Sequence, residues 1–172
     1  MSELTLRNAT IDDANLLTEL GSRTFSEAFA ADNTKRNMEE YLNAAFNPAQ
    51  QLAELSDPNT HIKIAEKDGV AVGYSMLRSS VAPNEITGEE PIELVRLYVS
   101  QGTIGSGVGA ELMGECVRHS RELGFKTLWL GVWENNFRAQ AFYRKWGFVE
   151  VGTHVFQLGD DPQRDFLMQK NL

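Results

Sequence analysis

The stretch Leu97-Tyr98-Val99-Ser100-Gln101-Gly102-Thr103-Ile104-Gly105-Ser106-Gly107-Val108-Gly109-Ala110 decides the fold. An apolar run ends in glycines, and the glycines open an amphipathic helical pattern. A buried strand therefore passes through a tight turn directly into a helix. Glycine lets the backbone approach a ligand closely. The free N–H groups and positive dipole end of the helix favour an anion there, with a diphosphate as the natural guest.

Two other accounts fit this stretch taken alone. The glycines could serve only a tight strand-to-helix turn. Gly105-x-Gly107-x-x-Ala110 also satisfies the dinucleotide pattern G-x-G-x-x-G/A, with Glu134 ending the next strand about where a ribose-binding acid would fall. Placement argues against a dinucleotide site, which wants its loop after a first strand with several βα units behind it. Here about a hundred residues precede the loop and few elements follow.

Downstream lies Trp133-Glu134-Asn135-Asn136-Phe137-Arg138-Ala139-Gln140-Ala141-Phe142-Tyr143-Arg144-Lys145-Trp146-Gly147-Phe148, containing N-x-x-A-x-x-F-Y-x-x-x-G-F. A strand over 127–133 feeds a helix over 136–146 that Gly147 ends. Tyr143 stands four residues after Ala139, on the same helix face. Its phenol is a proton donor with a reference pKa near ~10. Asn136 suits a helix cap as well as a ligand contact. Cys116 follows Leu112 at helical spacing and reads as core.

Outward from these segments, Thr10 and Asp13 form a capping-box pattern ahead of Ala14, Leu16, Leu17 and Leu20, so a first helix begins there. Leu4-Thr5-Leu6-Arg7 alternates as a strand does. A second helical pattern follows the segment 24–33 and runs through Met38, Tyr41 and Leu42 to Phe46. Asn47-Pro48 then restarts a short helix. Runs at 61–66 and 70–76 flank Lys67-Asp68-Gly69, where Asp-Gly supplies the positive φ of a hairpin turn. Residues 79–90 read as a loop, 92–99 as a strand, 107–123 as a helix, and 148–158 and 165–170 as closing strands. Some seven strands with interspersed helices predict one mixed-sheet α/β domain over 1–172.

The 172 residues suffice to bury roughly two-thirds of the unfolded surface. Hydrophobic residues at 42% and charged ones at 23% exclude the composition of a disordered chain. A single cysteine forms no intrachain disulfide and no CxxC motif, which suits a reducing cytoplasm, and no metal site is expected. No signal-like or membrane-spanning apolar run occurs. Sixteen Lys plus Arg against twenty-four Asp plus Glu leave a net charge of −8, which disfavours nucleic acid and anionic lipid and favours a cationic partner. The same acidity also serves solubility alone.

In its glycine loop and its N-x-x-A-x-x-F-Y-x-x-x-G-F segment, together about a third of the chain, the sequence resembles the GCN5-related N-acetyltransferase superfamily. The resemblance implies a mixed, mostly antiparallel seven-stranded sheet flanked by about four helices, with a splayed parallel strand pair at its centre. It implies acetyl-CoA as co-substrate. The pantetheine arm would lie between strands ending near Val99 and Trp133, paired with backbone of Leu97 and Val99 beside Tyr98. The pyrophosphate would rest on N–H groups of Gly105, Ser106, Gly107, Val108, Gly109 and Ala110, with Asn136, Ala139, Phe142 and Tyr143 completing the site. Ile104 stands where the family usually has Gln or Arg, and Ser106 often has a basic counterpart, so backbone donors carry more of the load here. By resemblance Tyr143 protonates the departing thiolate, and backbone N–H near Val99 suits the developing oxyanion.

An attacking amine must be neutral, and a positioned group can take its proton. Glu134 is the first candidate base; Glu93 and His154 are others. Thr24-Phe25-Ser26-Glu27-Ala28-Phe29, Asn33, Asn37-Met38-Glu39-Glu40-Tyr41-Leu42, Leu130-Gly131-Val132-Trp133-Glu134 and Gly152-x-His154-x-Phe156 are similar to bacterial spermine/spermidine N-acetyltransferases. That implies a polyamine acceptor met by Glu27, Asp32 and Trp133. Another small amine, a peptide N-terminus, or a coenzyme A-binding regulator with little turnover are the alternatives. An exposed strand edge is compatible with a homodimer.

Overall fold

The computed structural model describes residues 2–172. Seven strands form one sheet: β1 Leu4–Asn8, β2 Thr60–Lys67, β3 Val70–Arg78, β4 Pro91–Val99, β5 Thr127–Trp133, β6 Val149–Leu158 and β7 Asp161–Asn171. Their order is β1-β2-β3-β4-β5-β7-β6, antiparallel except for β4 beside β5. Five α-helices accompany them: α1 Ala14–Phe29, α2 Lys35–Ala45, α3 Pro48–Ser56, α4 Val108–Glu122 and α5 Phe137–Lys145. The mixed α/β sheet expected from the sequence is therefore present, with its parallel pair at the centre.

Local chemistry starts and stops these elements. The Thr10–Asp13 capping box is formed, heading a 3-10 turn that runs into α1. α1 continues through Phe29, so most of the segment expected between two helices is helical. Asn47 caps α3 by accepting from the Gln50 amide at 2.8 Å. Asp68 and Gly69, at φ +52° and +79°, turn the β2–β3 hairpin as anticipated. β7 starts four residues earlier than the pattern suggested and contains Pro162. The reason is positional: β5 pairs only as far as Asp165, so Pro162 faces β6 alone and breaks no second ladder.

Two layers pack on the sheet. α4 and α5 cover one face, over a core that includes Ile92, Leu94, Leu128, Leu130 and Met168. α1 and α3 cover the other, over Leu17, Leu20, Ile64, Tyr74 and Met76. α2 extends that second layer past the sheet, where Met38 meets Phe25, Phe46 and Leu158. Cys116 is 2% exposed within the first core, as its helical spacing implied, and burial pushes its thiol up to about 11.

Candidate active site

The parallel pairing of β4 with β5 covers only Pro91↔Thr127, Ile92↔Leu128 and Glu93↔Trp129. Beyond Glu93 and Trp129 the strands part, and the gap opens into a cavity of about 1040 Å³. A bulge in β4 contributes to the divergence. Met76 faces Arg96 and Leu77 faces Leu94, which leaves Val95 as the extra residue. The cavity runs through the sheet. Leu97 and Val99 of β4 line it beside Gly109 of α4 and Phe142 of α5, while Phe25 of α1 and Tyr41 of α2 line it from the opposite face.

The β4–α4 connection builds the first mouth. Gly105 and Gly107 take φ +85° and +94°, a conformation open to glycine, and a Cβ at either would meet open space. Gly107 occupies the N-cap position of α4 with no side-chain cap. The amides of Gly105, Gly107, Val108, Gly109 and Ala110 find no hydrogen-bond partner among the described residues. The Ser106 amide differs: it donates to the Thr103 carbonyl at 3.1 Å, and the Ser106 hydroxyl donates to that same carbonyl. Unpaired amides at a helix start that border a cavity make an anion cradle.

Known proteins are similar to this chain in sequence and in fold. A model described as the acetyltransferase (GNAT) family matches residues 22–148. The chain belongs to that family. An uncharacterized N-acetyltransferase of Lactobacillus delbrueckii subsp. lactis is 33% identical over 89% of this chain and 88% of its own length. One of Mycobacterium tuberculosis is 34% identical over 93% of this chain and 98% of its own. Among solved structures, the PaiA N-acetyltransferase of Thermoplasma acidophilum in complex with coenzyme A shares the fold at a TM-score of 0.79 and 20% identity, over 99% of both chains.

In this GNAT enzyme α5 forms one wall of the slot. The Asn136 side chain caps it by accepting from the Ala139 amide at 3.2 Å. Tyr143 lines the cavity with its ring against Phe142 and Phe148, at 5.6 and 5.7 Å between centroids. Burial raises its phenol well above the ordinary tyrosine value, so the proton stays on oxygen at neutral pH. Gln140, 3% exposed, was not legible as a site residue. Its amide donates to the carbonyls of Trp133 at 3.1 Å and Glu134 at 2.8 Å and fixes the β5–α5 corner.

The structure sorts the expected site residues. Leu97, Tyr98, Val99, Ile104, Gly105, Gly107, Gly109, Ala110, Asn136, Ala139, Phe142 and Tyr143 all line the cavity. Ser106 and Val108 do not; Val108 is 2% exposed and packs beneath the turn. Trp133 lines it, edge-on to Phe29. Glu27 lines it too, but its carboxylate accepts from the Gln101 amide at 2.6 Å and faces Arg23 at 3.4 Å. Asp32 and Glu134 lie outside the main cavity, on an adjoining depression of about 540 Å³, where Glu134 faces Arg164 at 3.7 Å. Strand phase explains Glu134: it directly follows Trp133 and extends the β5–β7 ladder by one rung, its amide donating to the Arg164 carbonyl at 3.0 Å, so its side chain leaves on the opposite side from that of Trp133.

Acidic groups do reach the main cavity from other strands. Glu93 stands where β4 and β5 part, 3.4 Å from Arg78, and burial raises its carboxyl above the usual range. Asp165 of β7 lies beside His154 of β6. A buried ion pair braces the same floor: Arg96 holds Glu54 of α3 with two contacts of 2.7 and 2.9 Å and lies over the Phe46 ring.

Proposed function

We propose that this N-acetyltransferase moves the acetyl group of acetyl-CoA directly to a primary amine, and that the amine belongs to a polyamine such as spermidine or spermine. The residues fit the co-substrate. The slot between β4 and β5 takes an extended arm, with backbone of Leu97 and Val99 along one side. Unpaired amides at Gly105 and Gly107–110 suit a diphosphate. When bound, acetyl-CoA supplies the acetyl group already activated as a thioester. Tyr143, protonated at neutral pH and set in the wall, delivers a proton to the departing sulfur.

The observation that carries the polyamine is the continuity of two depressions. The main cavity and the neighbouring one share Trp133, His154 and Gln163 as a common wall, and the second is rimmed by Asp32, Glu134 and Asp161. A linear polycation with one amine at the thioester can extend a further ammonium to those carboxylates. The aromatic faces of Phe25, Tyr41 and Phe156 suit its methylenes and its charge. The net charge of −8 adds a long-range pull on such a substrate.

Thiol release followed with spermidine, spermine, propylamine and a short peptide tests this. Spermidine should show a KM at least about tenfold below that of propylamine, and Asp32→Asn with Glu134→Gln should erase the difference. Equal KM values for the two amines would discard the polyamine. The aromatic lining also favours a second reading, in which the acceptor amine carries an apolar body or is a peptide N-terminus. Preference for the peptide over both polyamines would select it, and coenzyme A binding without thiol release from any amine would mark a regulator.

A further inference from the structure

We propose that His154, held on Asp165, takes the proton from the acceptor amine, with Asp165 as its positioning residue. The inference rests on acetyl transfer occurring in the main cavity. His154 Nε2 lies 3.3 Å from Asp165 Oδ2, across the register pair His154↔Asp165 of the β6–β7 hairpin. Both line the cavity, and Asp165 is 8% exposed.

The neighbouring strand makes room for the pair. Gly131 of β5 comes two residues after Trp129, the last position bonded to β4. A Cβ at Gly131 would stand 3.0 Å from His154 Nε2 and 3.2 Å from Asp165 Oδ2. The pair therefore rests on the one β5 residue without a side chain, at the point where the slot opens. Its competitors are committed elsewhere. Glu93 is bound to Arg78, and Glu134 lies outside the main cavity, facing Arg164.

The chemistry follows from the pairing. With Nε2–H donating to Asp165, the lone pair of the imidazole is left at Nδ1. An ammonium N–H bond breaks, its electron pair stays on nitrogen, and the proton passes to Nδ1. That lone pair then forms the C–N bond as the C–S bond breaks. The second proton shed by nitrogen replaces, through water, the one Tyr143 gives to sulfur, and His154 returns its proton to solvent. Asp165 and Glu93 offset the charge that the imidazolium gains in between.

The charged groups facing His154 are Asp165 on β7, Glu93 on β4 with Arg78 of β3 beyond it, and Glu85 from the loop before β4. Across the second depression stand Asp32, Glu134, Asp161 and Arg164. The Asp165 hydrogen bond, above all, raises the imidazole above its ordinary value, against the opposing pull of burial. The neutral base is therefore lost on the acid side of that raised value, and turnover rises as pH increases through it.

Two variants of the full chain test the proposal, with the rate of thiol release measured against pH and histidine titrations followed by NMR. His154→Gln should lower kcat by about 10²-fold or more and flatten the acid limb, while coenzyme A affinity by calorimetry stays within about twofold. Asp165→Asn should move the His154 titration and the acid limb together to lower pH. Spermidine is the first acceptor; if wild type ignores it and acetylates phenethylamine, the polyamine reading fails and the same profiles are taken on phenethylamine. An acid limb and rate that survive His154→Gln would overturn the assignment. So would a His154 titration in the wild type that lies at or below ~6.5 and does not respond to Asp165→Asn.

Discussion

Tyr143 meets two demands of a general acid: it borders the cavity, and burial keeps its proton in place at neutral pH. Tyr143→Phe should lower kcat by about 10²-fold and leave the calorimetric affinity for coenzyme A within about twofold. An unchanged kcat would remove Tyr143 from that role. Glu27 makes the opposite case, a carboxylate whose position in the cavity suggests an amine contact but whose bonds lie elsewhere. It holds the Gln101 amide at 2.6 Å, while Arg23 reaches the Ser100 hydroxyl at 3.0 Å, so α1 grips the start of the β4–α4 turn. Glu27→Gln should therefore raise KM for acetyl-CoA about fivefold and move KM for the amine less. A rise confined to the amine would return Glu27 to the acceptor site.

At the scale of elements, α3 is fastened to β4 by Arg96 and Glu54, 10% and 8% exposed at the side chain. Removing one partner strands a buried charge, so Glu54→Ala should cost about 3 kcal/mol, a fall of about 10 °C in Tm. Replacing both with apolar residues should recover much of that loss, and calorimetric melting of the three variants checks the cycle. The elements legible in the sequence were those marked by local chemistry: the Thr10 capping box, the Asp68-Gly69 turn, the Asn47 cap and the glycines that open α4. Most of the residues expected at the cofactor line one cavity for the same reason, since they come from two contiguous segments. The acceptor side was not legible in this way. His154 and Asp165 stand eleven residues apart and meet only through the β6–β7 register, and Gly131 matters only because those two lie over it. Glu134 looked equivalent to them along the chain, but it falls one residue past Trp133 on the continuing β5–β7 ladder and lines the second depression instead.

For the whole molecule, opposing groups set the dependence of stability on pH. His61 faces His119 at 3.4 Å, and burial, with His119 adding to it, holds its imidazole below the ordinary value. As pH falls below ~6.5 the unfolded chain takes up that proton more readily, so stability drops until the folded imidazole is protonated too. Hydrogen bonds to Arg118 and Lys63 hold Glu115 down at about 2, and Arg7 lowers Asp13. Their contribution is complete above ~4.5 and is lost as pH falls toward 2. His154 acts with the opposite sign, stabilising below ~6.5 and ceasing to do so as pH rises through its raised folded value. Melting temperature against pH should accordingly decline in two acid stages, and His61→Gln should remove the earlier one while sparing the later.

The short junction between β4 and β5 divides the sheet into two leaves, β1-β2-β3-β4 and β5-β7-β6, whose strands pair with one another at only three positions and between which the sheet connection runs once, through α4. Backbone groups along the inner margins of both leaves have no strand opposite them past Glu93 and Trp129. Whatever fills the seam acts as a missing rung of the ladder and so becomes part of the architecture. Deuterium uptake should slow along 95–99 and 130–133 when coenzyme A is added, and the protein should resist proteolysis better when loaded than when empty.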